Sequence, residues 1–293
     1  MMPAETEKEV IPSMIDAHWK AVSTRLIAAA MALTLWGAGH AVAQQAIGVE
    51  PPVMLHAAVP GQSITFNLKI GNPSPKPIKV RAALGDWNYS QAGELQYFAP
   101  GKVPSSASPW VRLSDTIVDL SGSGVQTMRY TITVPKDATP GSHWGAIYFT
   151  AEAGEAFEGP LGAAFSARVA HTFYVNIAPT RSSGRIAGIF GKPSVPATKS
   201  YSLVVQYVNT GNVAQQLEGR VEIRNSSGKM VAVTLIKLQV VLPGATRILQ
   251  VSLTGPLPAG DYTALAILNY GDKGKDIAGE YTFTLKQPLL ESP

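Results

Sequence analysis

The chain has 293 residues, of which 45% are hydrophobic and only 15% charged, with 27 Gly, 22 Pro and no Cys. The absence of cysteine excludes a disulfide scaffold, a Cys-ligated metal centre and a thiol nucleophile, while the apolar content excludes a disordered tail. A net charge of +4 arises from scarce charges rather than basic clusters, so no nucleic-acid partner is expected.

The N-terminal stretch reads as an export signal. Leu26 through Trp36 form an uncharged apolar run behind Lys20 and Arg25, and Ala41-Val42-Ala43 supplies a small-x-small exit. As a helix this run rises only about 16 Å, short of the roughly 30 Å hydrocarbon core, so membrane contact is expected only while the signal is uncleaved. Four acids (Glu5, Glu7, Glu9 and Asp16) precede Lys20, which leaves Met1, Met2 or Met14 as the start. Cleavage after Ala43 and a periplasmic destination are expected.

From there on the pattern alternates with period two. Ile64, Phe66, Leu68 and Ile70 alternate with Ser63, Thr65, Asn67 and Lys69; Met128, Tyr130, Ile132 and Val134 alternate with Thr127, Arg129, Thr131 and Thr133. Each such segment has one core face and one wet face of a strand. Similar runs occur at 53–59, 78–84, 145–151, 164–177, 201–208, 217–224, 229–241, 246–253, 261–270 and 278–285, with Gly/Pro/Asn/Ser turn clusters between them. The expected fold class is all-β.

An internal repeat sets the domain count. A strand ending at Asn72 is followed by a return strand at 79–84 and by Pro140-Gly141 feeding an aromatic strand; Asn209, 219–224 and the turn at Gly260 repeat that order. The longer spacing in the first half predicts an insertion within Asp86–Pro109. Two tandem immunoglobulin-like β-sandwiches of roughly seven strands each follow. The expected boundaries are a signal at 1–43, domain one at 44–178, a linker at 179–184, domain two at 185–286 and a tail at 287–293.

The first half resembles the PapD-like periplasmic pilus chaperone superfamily in the strand ending at Asn72, Pro109-Trp-Val-Arg112, Val125-Gln-Thr-Met-Arg-Tyr130 and Val134-Pro-Lys-Asp137. It is also similar to the peptidoglycan-binding domain of WxL-interacting surface proteins in Val59-Pro-Gly61, Gly93-Glu-Leu-Gln-Tyr97 and Gly145-Ala-Ile147. The chaperone resemblance implies a basic pair holding a subunit's terminal carboxylate, one member in the first strand and one in the last strand of domain one. Here those strands offer His56 and Arg168. The wall-binding resemblance implies a glycan ligand.

No catalytic constellation is visible: neither Gly-x-Ser-x-Gly, nor His-Glu-x-x-His, nor a phosphate-binding Gly loop is present. A non-enzymatic protein without cofactor or metal is expected. His56, His143 and His171 lack ligand-like spacing, and Glu152, Glu155 and Glu158 follow no calcium-loop pattern. The most informative stretch runs from Phe165 to Ile177. If it lies at a sheet edge, a partner's strand can add to it, reading pockets along Phe165, Ala167, Val169, His171, Phe173 and Val175. The expected partner is an exported subunit, pilin-like or another surface protein, captured by edge-strand pairing. The alternative is a cell-envelope glycan stacked on Trp87, Tyr97 and Trp110.

Overall fold

The computed structural model describes residues 47–151, 168–192, 201–253, 255–271 and 275–289. The expected signal, the acidic stretch with Glu152, Glu155 and Glu158, and Phe165 and Ala167 lie outside the described residues.

The first sandwich contains β1 (Gly48–Glu50), β2 (Val53–Ala58), β3 (Ser63–Gly71), β4 (Ile78–Tyr89), β5 (Leu95–Phe98), β6 (Val111–Leu113), β7 (Ile117–Leu120), β8 (Val125–Thr133), β9 (Gly141–Ala151) and β10 (Arg168–Ile177). One sheet has the order β1-β3-β8-β6; the other runs β2-β10-β9-β4-β5, with β7 also on β4. The alternation in sequence becomes the two inner faces. Leu68, Ile70, Met128, Tyr130 and Ile132 from one sheet meet Val80, Ile147, Phe149, Phe173 and Val175 from the other, all buried. Each large side chain so buried contributes about 1.5–3 kcal/mol against exposure.

The first sandwich holds ten strands among the described residues, more than the seven expected. The strands that no alternating run announced are β1, β5, β6 and β7, which have three or four residues each, too few for period two to register. Pro51 and Pro52 explain the division between β1 and β2. Neither ring nitrogen can donate to a ladder, so pairing stops and the chain changes sheets. β1 pairs antiparallel with β3, and β2 then pairs parallel with β10.

The second sandwich contains β11 (Gly184–Lys192), β12 (Tyr201–Asn209), β13 (Gln215–Asn225), β14 (Met230–Val241), β15 (Thr246–Leu253), β16 (Gly260–Asn269) and β17 (Asp276–Leu285). Its sheets have the orders β11-β12-β15 and β14-β13-β16-β17. Leu203, Val205 and Tyr207 pack against Val221, Ile223, Ala264 and Leu268 in a separate core. The segment beyond β17 is not a loose tail throughout, because Leu289 is buried in that core and exchanges backbone hydrogen bonds with Leu257. The expected linker is likewise pinned: Asn212 accepts from the Arg181 N–H at 2.6 Å and donates to the Pro179 carbonyl at 3.0 Å, and Gln215 donates to the Ser183 carbonyl.

Candidate functional site

β10 carries most of the residues expected to meet a partner, and the structure divides them by face. Phe173, Val175 and Ile177 are each 1% exposed and belong to the core, with Val169 packed against it. These side chains are therefore not pockets for a partner. The edge expectation needs a similar correction: β10 pairs with β9 along its whole length and with β2 from Thr172 to Ile177. Only Arg168–His171 has a partner on one side alone among the described residues. The Thr172 N–H donates to the Pro52 carbonyl on the β2 side at 2.9 Å. By strand alternation the main-chain groups of Ala170 and Arg168 point to that same open side.

Among the described residues the rim of this sheet is β2, an edge that sequence reasoning missed. It exposes Val53 at 56% and Leu55 at 66%, and Val59 just beyond it at 61%. The apolar run at 53–59 was the available signal; what sequence could not supply was that the Pro51-Pro52 switch would place it outside β10. A solvent-facing apolar rim next to main chain with no ladder partner among the described residues has the chemistry that an added strand can use.

The basic pair implied by the chaperone resemblance is not assembled. His56 stands opposite Val175, while Arg168 stands opposite Thr150, seven positions along β10. At strand rise that separates them by about 23 Å. His56 packs edge-to-face with Phe66, ring centroids 4.4 Å apart, and the Arg168 Nε–H donates to the Thr150 hydroxyl at 3.3 Å. His171 is fully buried. Its Nδ1 lies 2.6 Å from the Pro51 carbonyl, an acceptor only, so Nδ1 carries the proton and Nε2 accepts from the Tyr130 hydroxyl at 2.9 Å. Burial lowers the imidazole pKa, and the Pro51 hydrogen bond opposes this in part. His171 thus acts as a neutral clip holding the sheet switch onto β10.

The three aromatics expected to stack on a glycan do not form one surface. Trp87 is 3% exposed and donates from its indole nitrogen to the Gly145 carbonyl at 3.3 Å, which removes it from any sugar-stacking role. Trp110 is half-buried against the His143 ring at 4.6 Å. Tyr97 alone is exposed, at 58%.

Trp87 instead helps to build the junction between the sandwiches. Trp87, Trp144, Tyr148 and Tyr174 of domain one form a buried cluster with Leu242 of domain two, bordered by Tyr89, Val240 and Ala245. The insertion expected within Asp86–Pro109 is the distal half of β4, the hairpin to β5 and the loop after it. Asp86, fully buried, anchors that loop: its carboxylate accepts from the Lys102 and Val103 N–H groups at 2.7 and 3.1 Å and from the Ser106 hydroxyl at 2.6 Å. The hairpin tip reaches domain two, where the Ile248 N–H donates to the Gln91 carbonyl at 2.8 Å. Arg247 (3% exposed) donates to the carbonyls of Ser90 and Val240 at 3.0 and 2.6 Å and lies over the Tyr89 ring at 4.8 Å. Burial lowers its pKa from the ordinary guanidinium value, while Tyr89 works the other way. Gly93 is required beside it: its φ is +92°, and a Cβ there would stand 2.9 Å from Arg247 Nη1.

Among the described residues no group of three His, Cys, Asp or Glu is placed to hold a metal ion. The hydrogen-bond partners of His143 and His171 are a Thr139 carbonyl and hydroxyl, a Pro51 carbonyl and a Tyr130 hydroxyl, none of them a carboxylate.

These features define the class of molecule: an all-β chain of two tandem immunoglobulin-like sandwiches joined by a packed junction, with an open rim on the first. No family model matches the chain, and no curated protein matches it. Solved structures similar to it include the CupB2 chaperone of Pseudomonas aeruginosa, at 12% identity over 80% of this chain and 99% of that one, with a TM-score of 0.42. A chaperone–tip adhesion subunit pre-assembly complex, CsuC–CsuE of Acinetobacter baumannii, matches at 12% identity over 79% and 97% with a TM-score of 0.45. The E. coli chaperone DraB matches at 15% identity over 80% and 98% with a TM-score of 0.41.

Proposed function

We propose that this is an exported, non-enzymatic binding protein, acting as a periplasmic chaperone-like factor that holds an extended segment of an exported partner subunit on the β2/β10 rim of domain one. The observation that carries the reading is that the main-chain groups of Arg168 and Ala170 have no ladder partner on the β2 side among the described residues, next to the rim that exposes Val53 and Leu55. A partner strand laid there gains ladder hydrogen bonds that would otherwise go to water, and apolar contacts along the rim add selectivity. The partner class, a pilin-like or other surface subunit, rests on the resemblance in sequence and on the expected export signal.

Ala170→Pro tests this directly. It removes a donor aimed at the open side and leaves the β9 ladder intact. Co-purification of the variant with exported subunits of its host should fall at least about tenfold while its circular dichroism stays unchanged. Undiminished capture by the folded variant would overturn the proposal. Val169→Asp is the poorer test, because Val169 packs on the core and the charge would act on folding.

A further inference from the structure

At one end of domain two the turn between β13 and β14 stands beside the start of β16 and the close of β17, and a concavity of about 280 Å³ opens there. Two cross-strand pairs build its wall. Asp261 lies opposite Thr284 and Thr263 opposite Thr282, so strand alternation turns all four side chains to the outer face of the sheet. Tyr262 and Phe283, the pair between them, go to the core. The Thr284 hydroxyl donates to Asp261 Oδ1 at 2.6 Å, which orients the carboxylate and leaves Oδ2 without a hydrogen-bond partner among the described residues. Asn225, on the turn side, accepts through Oδ1 from the Ser227 and Lys229 N–H groups at 3.2 and 3.0 Å and from the Ser227 hydroxyl at 2.8 Å. Three donors on one atom settle which end of the amide is oxygen, so Nδ2, with two N–H groups, is the end left open. The Thr263 and Thr282 hydroxyls of the same lining each donate and accept.

Charge narrows the ligand class. Asp261 is the one ionised side chain of the lining among the described residues. Charges of both signs stand around it: Arg224, opposite Thr263 and bound to Glu222 at 2.8 Å, then Glu280 two positions before Thr282 and Lys286 two positions after Thr284. An anion would meet the Asp261 carboxylate and a cation the Asn225 N–H groups, so neither is favoured. A vicinal diol suits both, because one hydroxyl donates to Oδ2 while its neighbour accepts from Nδ2. We propose that this concavity is a saccharide site, taking one neutral sugar unit through two adjacent ring hydroxyls. Its volume lies at the low end of small-molecule sites, the scale of a single ring. Tyr262 and Phe283 are buried and offer no face for stacking, so hydrogen bonds carry the recognition and a lone sugar binds in the millimolar range. The site shares no residue with the domain-one rim.

The test is saturation-transfer NMR on the full chain with methyl mannoside, methyl glucoside and cyclohexanol, a ring of similar size without a diol. At least one glycoside should give a signal about fivefold above that of cyclohexanol. Asp261→Ala should weaken glycoside binding about tenfold, and so should Thr282→Val, an exposed and nearly isosteric change that keeps the strand intact. Leu55→Asp, on the rim of domain one, should leave it unchanged. Equal signals from glycosides and cyclohexanol, glycoside binding that survives both domain-two variants, or displacement of the glycoside by an equal concentration of acetamide would overturn the proposal, the last because the lining would then be reading an amide.

Discussion

Asn72 and Asn209 make the same three hydrogen bonds in two different sandwiches. Asn72 Nδ2 donates to the carbonyls of Lys76 and Ser121 at 2.8 and 2.9 Å, and its Oδ1 accepts the Ser74 N–H at 2.9 Å. Asn209 Nδ2 donates to the carbonyls of Val213 and Val241 at 2.8 and 2.9 Å, and its Oδ1 accepts the Gly211 N–H at 2.9 Å. Both side chains are buried, and each closes the turn after its strand while tying it to a segment distant in sequence, a loop for Asn72 and the end of β14 for Asn209. Replacing either by Ala strands two carbonyls and an N–H, so each variant should lose about 2–3 kcal/mol in chemical denaturation. The double variant should lose close to the sum, since the two sites share no partner.

The junction supplies a second expectation. Arg247→Met keeps much of the side-chain volume but removes the bonds to Ser90 and Val240 and the contact over Tyr89. We expect a loss of about 2–4 kcal/mol, with the single calorimetric transition splitting into two as the sandwiches uncouple. Gly93→Ala, which crowds Nη1, should act in the same direction but less strongly. A wild-type profile that already shows two independent transitions would refute this.

Acid should weaken the sheet switch through His171. Its folded pKa lies below that of an exposed imidazole, so the unfolded chain takes up the proton first. Stability from this group is intact above about pH 6.5 and falls as the pH drops below that value, until folded His171 itself protonates. The slope from one proton is at most about 1.4 kcal/mol per pH unit. Tyr130, the titratable group in contact with it, stays neutral throughout because burial raises its pKa. Urea denaturation at pH 7 and pH 5 should therefore show a smaller difference for His171→Gln than for the wild type.

Asp86 offers a test of the insertion. Asp86→Ala leaves two N–H groups and a hydroxyl without their acceptor and should cost about 3 kcal/mol, with faster proteolysis of the 100–106 loop as the readout.

The sheets were legible because burial on one face of a strand writes itself into every second residue: Leu68, Ile70, Met128, Tyr130 and Ile132 announce their core in the sequence itself. The repeated Asn was legible too, since a turn-closing amide has few substitutes. The edges were not. Whether β10 is outermost depends on where Pro51-Pro52 sends β2, a non-local pairing across more than a hundred residues that periodicity does not record. For the same reason Trp87 looked like an exposed aromatic: its burial needs Tyr174 and Leu242, from a distant strand and from another domain. Strand alternation places a residue on a face but not the object that face meets.

β4 has twelve residues, begins in the core of the first sandwich at Ile78, and ends at Tyr89 against Arg247 of the second. It is thus a stiff beam clamped at both ends rather than a rim strand. If a guest docks on domain one as proposed, torque applied there would pass through it to β15, and the two sandwiches would respond to a pull as one lever arm and not as beads on a string.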